Sequence, residues 1–192
     1  MATASELPID TTASAMDMAV AMFGHGITIV SASYTGAASA SGIYSDGDTV
    51  SPDLTPSDTG VILSTGNATD VTNEPGLLNL LADPNLSAEI STDHGLAGDA
   101  DLTAISGQET FDAAVFEAEF VPEGSTLTMQ IVFSSEEYLE YVNAGFNDAV
   151  GVWVNGVQAE LTVGTGDITI NNINDVSNAN LYMDNSTLSN AY

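Results

Sequence analysis

The stretch FDAAVFEAEFVPEGSTLTMQIVF, Phe111 to Phe133, decides the expected fold because its apolar residues recur at every second position. In the first half, this spacing places Phe116, Ala118 and Phe120 on one face. The second half repeats it with Leu127, Met129, Ile131 and Phe133. Alternation with period two is typical of half-buried antiparallel strands.

Similar patterns lie on both sides of this stretch. ITIVSASYTG (Ile27 to Gly36) alternates like a strand, and GVILSTG (Gly60 to Gly66) predicts a short buried strand. The dipeptide Asn155-Gly156 between two β-rich runs predicts a hairpin, and DITINNIN (Asp167 to Asn174) predicts one more strand. The sequence therefore predicts a mainly β fold, an antiparallel β-sandwich that is jelly-roll-like.

One helix is predicted, near the N-terminus, from Asp10 to Gly26. Its expected cap is Asp10, Thr11 or Thr12, its apolar positions are Ala13, Met16, Val20 and Phe23, and its stop is Gly24. Residues 67–108 are rich in polar residues and predict a surface loop with a helical turn or two. We expect a single domain over residues 1–192.

The charge of the chain is extreme. Its 192 residues include 27 acidic side chains, two histidines and no lysine or arginine, which gives a formal charge of −27. Such a field disfavours nucleic acid and anionic membranes as partners and favours divalent cations. Self-repulsion must be relieved by salt, protons or bound metal, so we expect an extracellular, marine or salty, setting.

Other global features limit the cellular context. The chain has no cysteine, which excludes disulfides and thiolate metal sites. The first 26 residues lack the basic and long apolar regions of a signal peptide, and no apolar run reaches the length of a membrane-spanning helix. Export would therefore use a signal outside this segment.

Three acidic clusters offer the oxygen ligands that Ca²⁺ prefers. They are Asp46, Asp48 and Asp53; then Asp93, Asp99 and Asp101; and then Glu136, Glu137, Asn147 and Asp148. None has the EF-hand spacing, and solvated or backbone-bonded carboxylates in turns are the alternative interpretation. Glu136 and Glu137 would point to opposite faces of a strand, so one of them faces inward unless the strand ends by Ser134. A buried carboxylate without a basic partner requires a metal, a proton or several donors.

Three further interpretations concern individual side chains. Glu119 with Glu136 or Glu137 would make a carboxylate pair for glycoside hydrolysis, although no arginine or lysine is present to assist. A carbohydrate-binding module would use Trp153, Tyr138 and Tyr141 as ring platforms, whereas Trp153 also suits a core position. The two histidines lie in GHG and DHG turns and are expected to be exposed.

The stretch FSSEEYLEYVNAGFNDAVGVWVNG (Phe133 to Gly156) resembles the signature of the choice-of-anchor L domain family. ITIVSASYTG with GIYS, SDTGVILSTGNATDV and DITINNIN are similar to other parts of that family, so the resemblance runs from about Ala13 to Asn185. It implies a bacterial secreted or surface protein whose molecular activity is poorly defined. The family's later acidic segment would follow Tyr192, so a C-terminal segment is expected to be missing, together with part of any shared cation site and a C-terminal export signal.

These observations predict a non-enzymatic extracellular module that is structural or adhesive and stabilised by calcium. We expect it to serve in a surface fibre or matrix through self-association or binding to another surface protein. A carbohydrate-binding module is the alternative, and a glycoside hydrolase-like enzyme is the third reading.

Overall fold

The computed structural model describes residues 7–50, 55–71 and 92–184. The first half contains β1 (Ile9–Asp10), α1 (Ala15–Met22), β2 (Ile27–Thr35), β3 (Ser41–Tyr44), α2 (Gly47–Val50) and β4 (Gly60–Leu63). The second half contains α3 (Ala100–Ser106), β5 (Val115–Pro122), β6 (Ala149–Val150), β7 (Trp153–Val154), β8 (Val157–Gln158) and β9 (Ile168–Thr169). Single 3₁₀ turns lie at Ala38–Ala40 and Ala68–Val71.

All strand pairs among the described residues are antiparallel, so the predicted mainly antiparallel β class is confirmed. One sheet has three strands in the order β1-β3-β4, and the pairs β2-β5, β6-β9 and β7-β8 form two-stranded sheets. A small core of Leu7, Tyr44 and Val50 lies at the first sheet. The sandwich or jelly-roll arrangement stays a prediction.

The longest ladder, between β2 and β5, follows the alternation that the sequence shows. Phe116 and Phe120 are half-buried, whereas Glu117 and Glu119 on the opposite face are exposed. Glu119 pairs with Ser31 across the ladder. The inner face packs against α1, and the rings of Phe23 and Phe120 lie 5.0 Å apart between centroids.

The boundaries and the buried face of α1 differ from the prediction. Ser14, rather than Asp10, Thr11 or Thr12, is the N-cap: its hydroxyl oxygen accepts from the Asp17 N–H at 3.2 Å, and the Asp17 carboxylate accepts from the Ser14 N–H at 3.0 Å. This reciprocal capping box satisfies two N–H donors at the helix start. The buried residues are Met18 and Ala19, whereas the predicted core residues Met16 and Val20 are exposed.

The segment predicted to be a surface loop with a helical turn or two contains α3, so α1 is not the single helix of the described residues. The Asp99 carboxylate caps α3 by accepting from the N–H groups of Asp101 and Leu102. Gly107 ends the helix in the left-handed conformation, with φ of 68°, which glycine adopts at no steric cost. The short helix α2 is a further addition.

Two strand predictions are wrong or only partly right. Residues 126–133 belong to no strand, and Leu127, Met129 and Ile131 are exposed. Period-two spacing sets the faces of an extended chain, but a strand also requires a neighbour for its backbone groups, and no described segment forms a ladder here. In the predicted strand Asp167 to Asn174, only Ile168–Thr169 pairs, and the asparagines after it bond backbone groups and turn the chain.

Two residues of α1 give a matched test of its packing. Met18 is 1% exposed and Val20 is 64% exposed. We expect Met18→Ala to lower the free energy of unfolding by about 2–5 kcal/mol, because it leaves a cavity. Val20→Ala should change it by less than about 0.5 kcal/mol. Urea unfolding followed by circular dichroism measures both values, and equal costs would contradict this placement of the helix.

Candidate functional site

The candidate site is built by the turns that follow residue 133. The Ser135 hydroxyl donates to the Asp148 carboxylate at 2.7 Å, and its oxygen accepts from the Glu137 N–H at 3.0 Å. Ser135 therefore holds the acidic turn against the residue that precedes β6. The chain is not a strand at this point, so the expected division of Glu136 and Glu137 between two faces does not arise.

The electrostatics show that three of the four residues of the third acidic cluster are brought together. Partial desolvation is the main cause that raises the pKa of Glu136, although the residue as a whole is exposed, and Asp148 raises it further. Desolvation also raises the pKa of Glu137, followed by the charges of Asp148, Glu136 and Glu140. These carboxylates repel one another, and no lysine or arginine is present to offset the repulsion. We refer to Glu136, Glu137 and Asp148 as the acidic cluster.

Asn147, the fourth predicted ligand, serves as a cross-link. Its side-chain N–H donates to the Ser106 carbonyl oxygen at 2.6 Å, and its side-chain oxygen accepts from the Asn171 N–H at 3.0 Å. The amide thereby joins the end of α3 to the turn after β9. Both the nitrogen and the oxygen of this side chain have partners, so Asn147 fixes the position of the segments next to the acidic cluster.

The other predicted calcium ligands lie apart from the acidic cluster, and two of them, Asp93 and Asp99, accept hydrogen bonds from nearby backbone N–H groups. Asp93 accepts from the Gly95 N–H at 2.7 Å, Asp99 caps α3, and Asp101 lies exposed in its first turn. Asp46 and Asp48 are exposed at the start of α2, and Asp53 lies outside the described residues. Within residues 7–50, 55–71 and 92–184, no three histidine, aspartate or glutamate side chains converge to hold a metal ion.

Asp112 is an important residue that sequence reasoning missed. It is 8% exposed, and its carboxylate accepts from the N–H groups of Leu96 at 2.6 Å and His94 at 2.9 Å. The bond from Leu96, then that from His94, holds the pKa of Asp112 below its usual value. The partners are 16 and 18 residues away in sequence, so no local pattern in the sequence indicates the contact.

His94 differs from its expected exposure. The residue is half-buried, and its Nε2 atom is buried without a hydrogen-bond partner among the described residues. The DHG turn therefore packs inward over Asp112, because that carboxylate draws the N–H groups of the turn towards it.

The three aromatic residues of the carbohydrate alternative pack against the protein itself. The Tyr138 hydroxyl donates to the Ile173 carbonyl oxygen at 2.6 Å, and burial is the main cause that raises the pKa of Tyr138 to about 12. The Tyr138 ring also contacts Tyr182 at 5.2 Å between centroids. Tyr141 packs edge-on against Phe146, and Trp153 is half-buried against Gly151, where a Cβ would meet its ring.

The fold and the site define a mainly antiparallel β module that carries crowded surface carboxylates. The family model for the Choice-of-anchor L domain matches residues 9–192, so the chain belongs to that family, and the resemblance seen in the sequence is confirmed. No curated protein and no solved structure matches the chain.

Membership gives a coarse function. The family is one of non-catalytic, surface-associated bacterial modules, and the protein is accordingly a bacterial cell-surface protein. In the described ranges, no helix is long and apolar enough to cross a bilayer.

Asp112 generates a prediction about pH. Because backbone donors lower its pKa below 3.8, the ionised group stabilises the fold above that value, and this contribution is lost as the pH falls through the folded-state pKa. We expect Asp112→Asn to lower Tm at neutral pH and the gap to the wild type to close in acid. Asp175→Asn, at an exposed position, is the control in thermal melts. A gap that persists unchanged in acid would show that the charge of Asp112 is not what matters.

Proposed function

We propose that the protein is a structural or adhesive module of the bacterial surface whose stability depends on calcium bound at the acidic cluster. One observation carries this proposal: desolvation and then three neighbouring carboxylates raise the pKa of Glu137, in a chain without lysine or arginine. A divalent cation is the counter-charge that such a site lacks. Calcium fits best, because it takes six to eight oxygen ligands in irregular geometry.

The described residues do not form a closed coordination shell, since no three acidic side chains converge on one point. The proposal therefore rests on the repulsion between the carboxylates of the acidic cluster, which a bound cation would reduce. Ser135 joins Asp148 to the backbone of Glu137 by two hydrogen bonds, so an ion beside Asp148 would lie next to the turn that carries Glu136 and Glu137. Backbone carbonyl groups and water would supply the remaining ligands.

Calcium would also permit assembly in a fibre or matrix. Two copies of a chain with a formal charge of −27 repel each other, and salt weakens this repulsion only beyond about 8–10 Å at physiological ionic strength. Divalent ions held between copies, or between this module and another surface protein, would remove the repulsion at close range. A salty extracellular setting, such as seawater, suits this requirement.

The calcium proposal predicts a specific change in thermal stability. At a concentration about 100 times the Kd, calcium should stabilise the fold by about 2.7 kcal/mol and raise Tm by roughly 5–10 °C. Glu137→Gln combined with Asp148→Asn should raise Tm without calcium, because repulsion is relieved, and should abolish the calcium-dependent increase. Differential scanning calorimetry measures both effects.

The control is Glu160→Gln, which removes an exposed carboxylate outside the acidic cluster and should leave the calcium response unchanged. Sodium chloride at matched ionic strength separates specific binding from screening. A calcium response that is the same in the double variant and the wild type would contradict binding at this site.

A further inference from the structure

The turn between β7 and β8 combines features that favour chemical modification. Asn155-Gly156 is the one Asn-Gly dipeptide in the sequence. Both residues are exposed, with φ of 52° and 76°, as a two-residue type I′ hairpin turn requires. Apart from Gly156 and its two chain neighbours, no described residue has an atom within 4 Å of the position that a Cβ of Gly156 would occupy. The Gly156 backbone is therefore open to solvent and unshielded by a side chain.

The Asn155 side chain also differs from several other asparagines in making no hydrogen bond that holds it in place. The amides of Asn147, Asn174 and Asn178 are each fixed by several hydrogen bonds to the backbone. In the part of the chain that the structure describes, the Asn155 amide makes no hydrogen bond. Its carbonyl carbon is thus free to rotate towards the following peptide nitrogen.

We propose that Asn155 is a site of spontaneous deamidation, with water as the co-reactant. The Gly156 backbone nitrogen attacks Cγ of Asn155, and the C–N bond to the side-chain nitrogen breaks. The Gly156 amide proton leaves with that nitrogen, so ammonia is released and a five-membered succinimide remains. Water then opens either ring carbonyl and gives aspartate or isoaspartate. The net reaction converts one amide and one water into one carboxylic acid and one ammonia, without any change of oxidation state.

The hairpin is short enough to permit the reaction. Its ladder contains two residue pairs, Trp153 with Gln158 and Val154 with Val157, and is continued by the Ala159 N–H bond to the Val152 carbonyl oxygen. A two-stranded hairpin of this size is marginal on its own and opens locally at low cost. Once the hairpin opens, Asn155 and Gly156 can leave their positive φ values, and the Gly156 nitrogen can approach the side chain of Asn155.

The isoaspartyl product has a structural consequence. It carries the main chain through Cβ and Cγ, which adds one methylene group to a turn that holds the register with two residues. The Trp153–Gln158 pair then loses its alignment, and the Trp153 ring leaves its place against Gly151. The reaction also adds one negative charge to a chain at −27. Deamidation at Asn155 therefore changes both charge and local structure.

The test incubates the purified chain in mildly alkaline buffer and follows it by peptide mapping with mass spectrometry, together with isoaspartate quantification. We expect the amide-to-acid mass gain to accumulate first in the peptide that contains Asn155. The emission of Trp153, the sole tryptophan, should shift to the red as isoaspartate forms.

Two variants act as matched controls. Asn155→Gln keeps the amide but cannot form the five-membered ring, so the mass gain and the emission shift should both be lost. Asn155→Asp, measured before incubation so that its own aspartate has not isomerised, has the added charge without the added methylene and should retain the wild-type emission. The proposal is overturned if another asparagine reacts first, if N155Q ages like the wild type, or if the emission does not change once isoaspartate has formed at Asn155.

Discussion

A chain without lysine or arginine must stabilise its carboxylates with hydrogen-bond donors, and this constraint shapes the described structure at several points. Asp17 accepts from both the N–H and the hydroxyl of Ser14, which lower its pKa. Asp99 accepts from two N–H groups at the start of α3. Asp112 accepts from two N–H groups of a separate turn. Backbone N–H groups therefore stabilise the ionised carboxylates, as basic side chains do in other proteins.

In the acidic cluster, hydrogen-bond donors do not keep the pKa values of Glu136 and Glu137 at their usual level. Asp148 has the Ser135 hydroxyl as a donor, but the pKa values of Glu136 and Glu137 are raised, first by desolvation and then by neighbouring carboxylates. Protonating these two glutamates favours the folded state, so their contribution opposes that of Asp112 as the pH falls. The same imbalance is the ground on which we propose a cation at the acidic cluster.

Local patterns predicted the parts of the fold that depend on local physics. Alternation fixed which face of β5 carries Glu117 and Glu119, because side chains on a strand alternate whatever the partner is. The Asn155-Gly156 turn followed from the backbone conformation that those residues tolerate. The cap of α1 was misplaced by two to four residues, because several polar residues precede the helix and only the reciprocal contact of Ser14 with Asp17 distinguishes among them.

Long-range contacts set the limit of prediction for the site. The sequence pointed to Glu136, Glu137 and Asp148, which lie within one short stretch, but it gave no indication that Asn147 joins Ser106 to Asn171. The contact of Asp112 with His94 and Leu96 was likewise hidden, since it depends on how two loops meet. Alternation in residues 126–133 suggested a strand, although pairing depends on a neighbour that the pattern does not specify.

We infer a division among the carboxylates: hydrogen-bond donors stabilise one ionised set, whereas desolvation and then crowding destabilise another. Nuclear magnetic resonance titration of the side-chain carboxyl carbons tests it most directly, since it reports each group separately. We expect Asp112 to titrate below its ordinary value of 3.8, and Glu136 and Glu137 to titrate above their ordinary value of 4.5. Titration of Asp112 at or above 3.8, with Glu136 and Glu137 at or below 4.5, would contradict it.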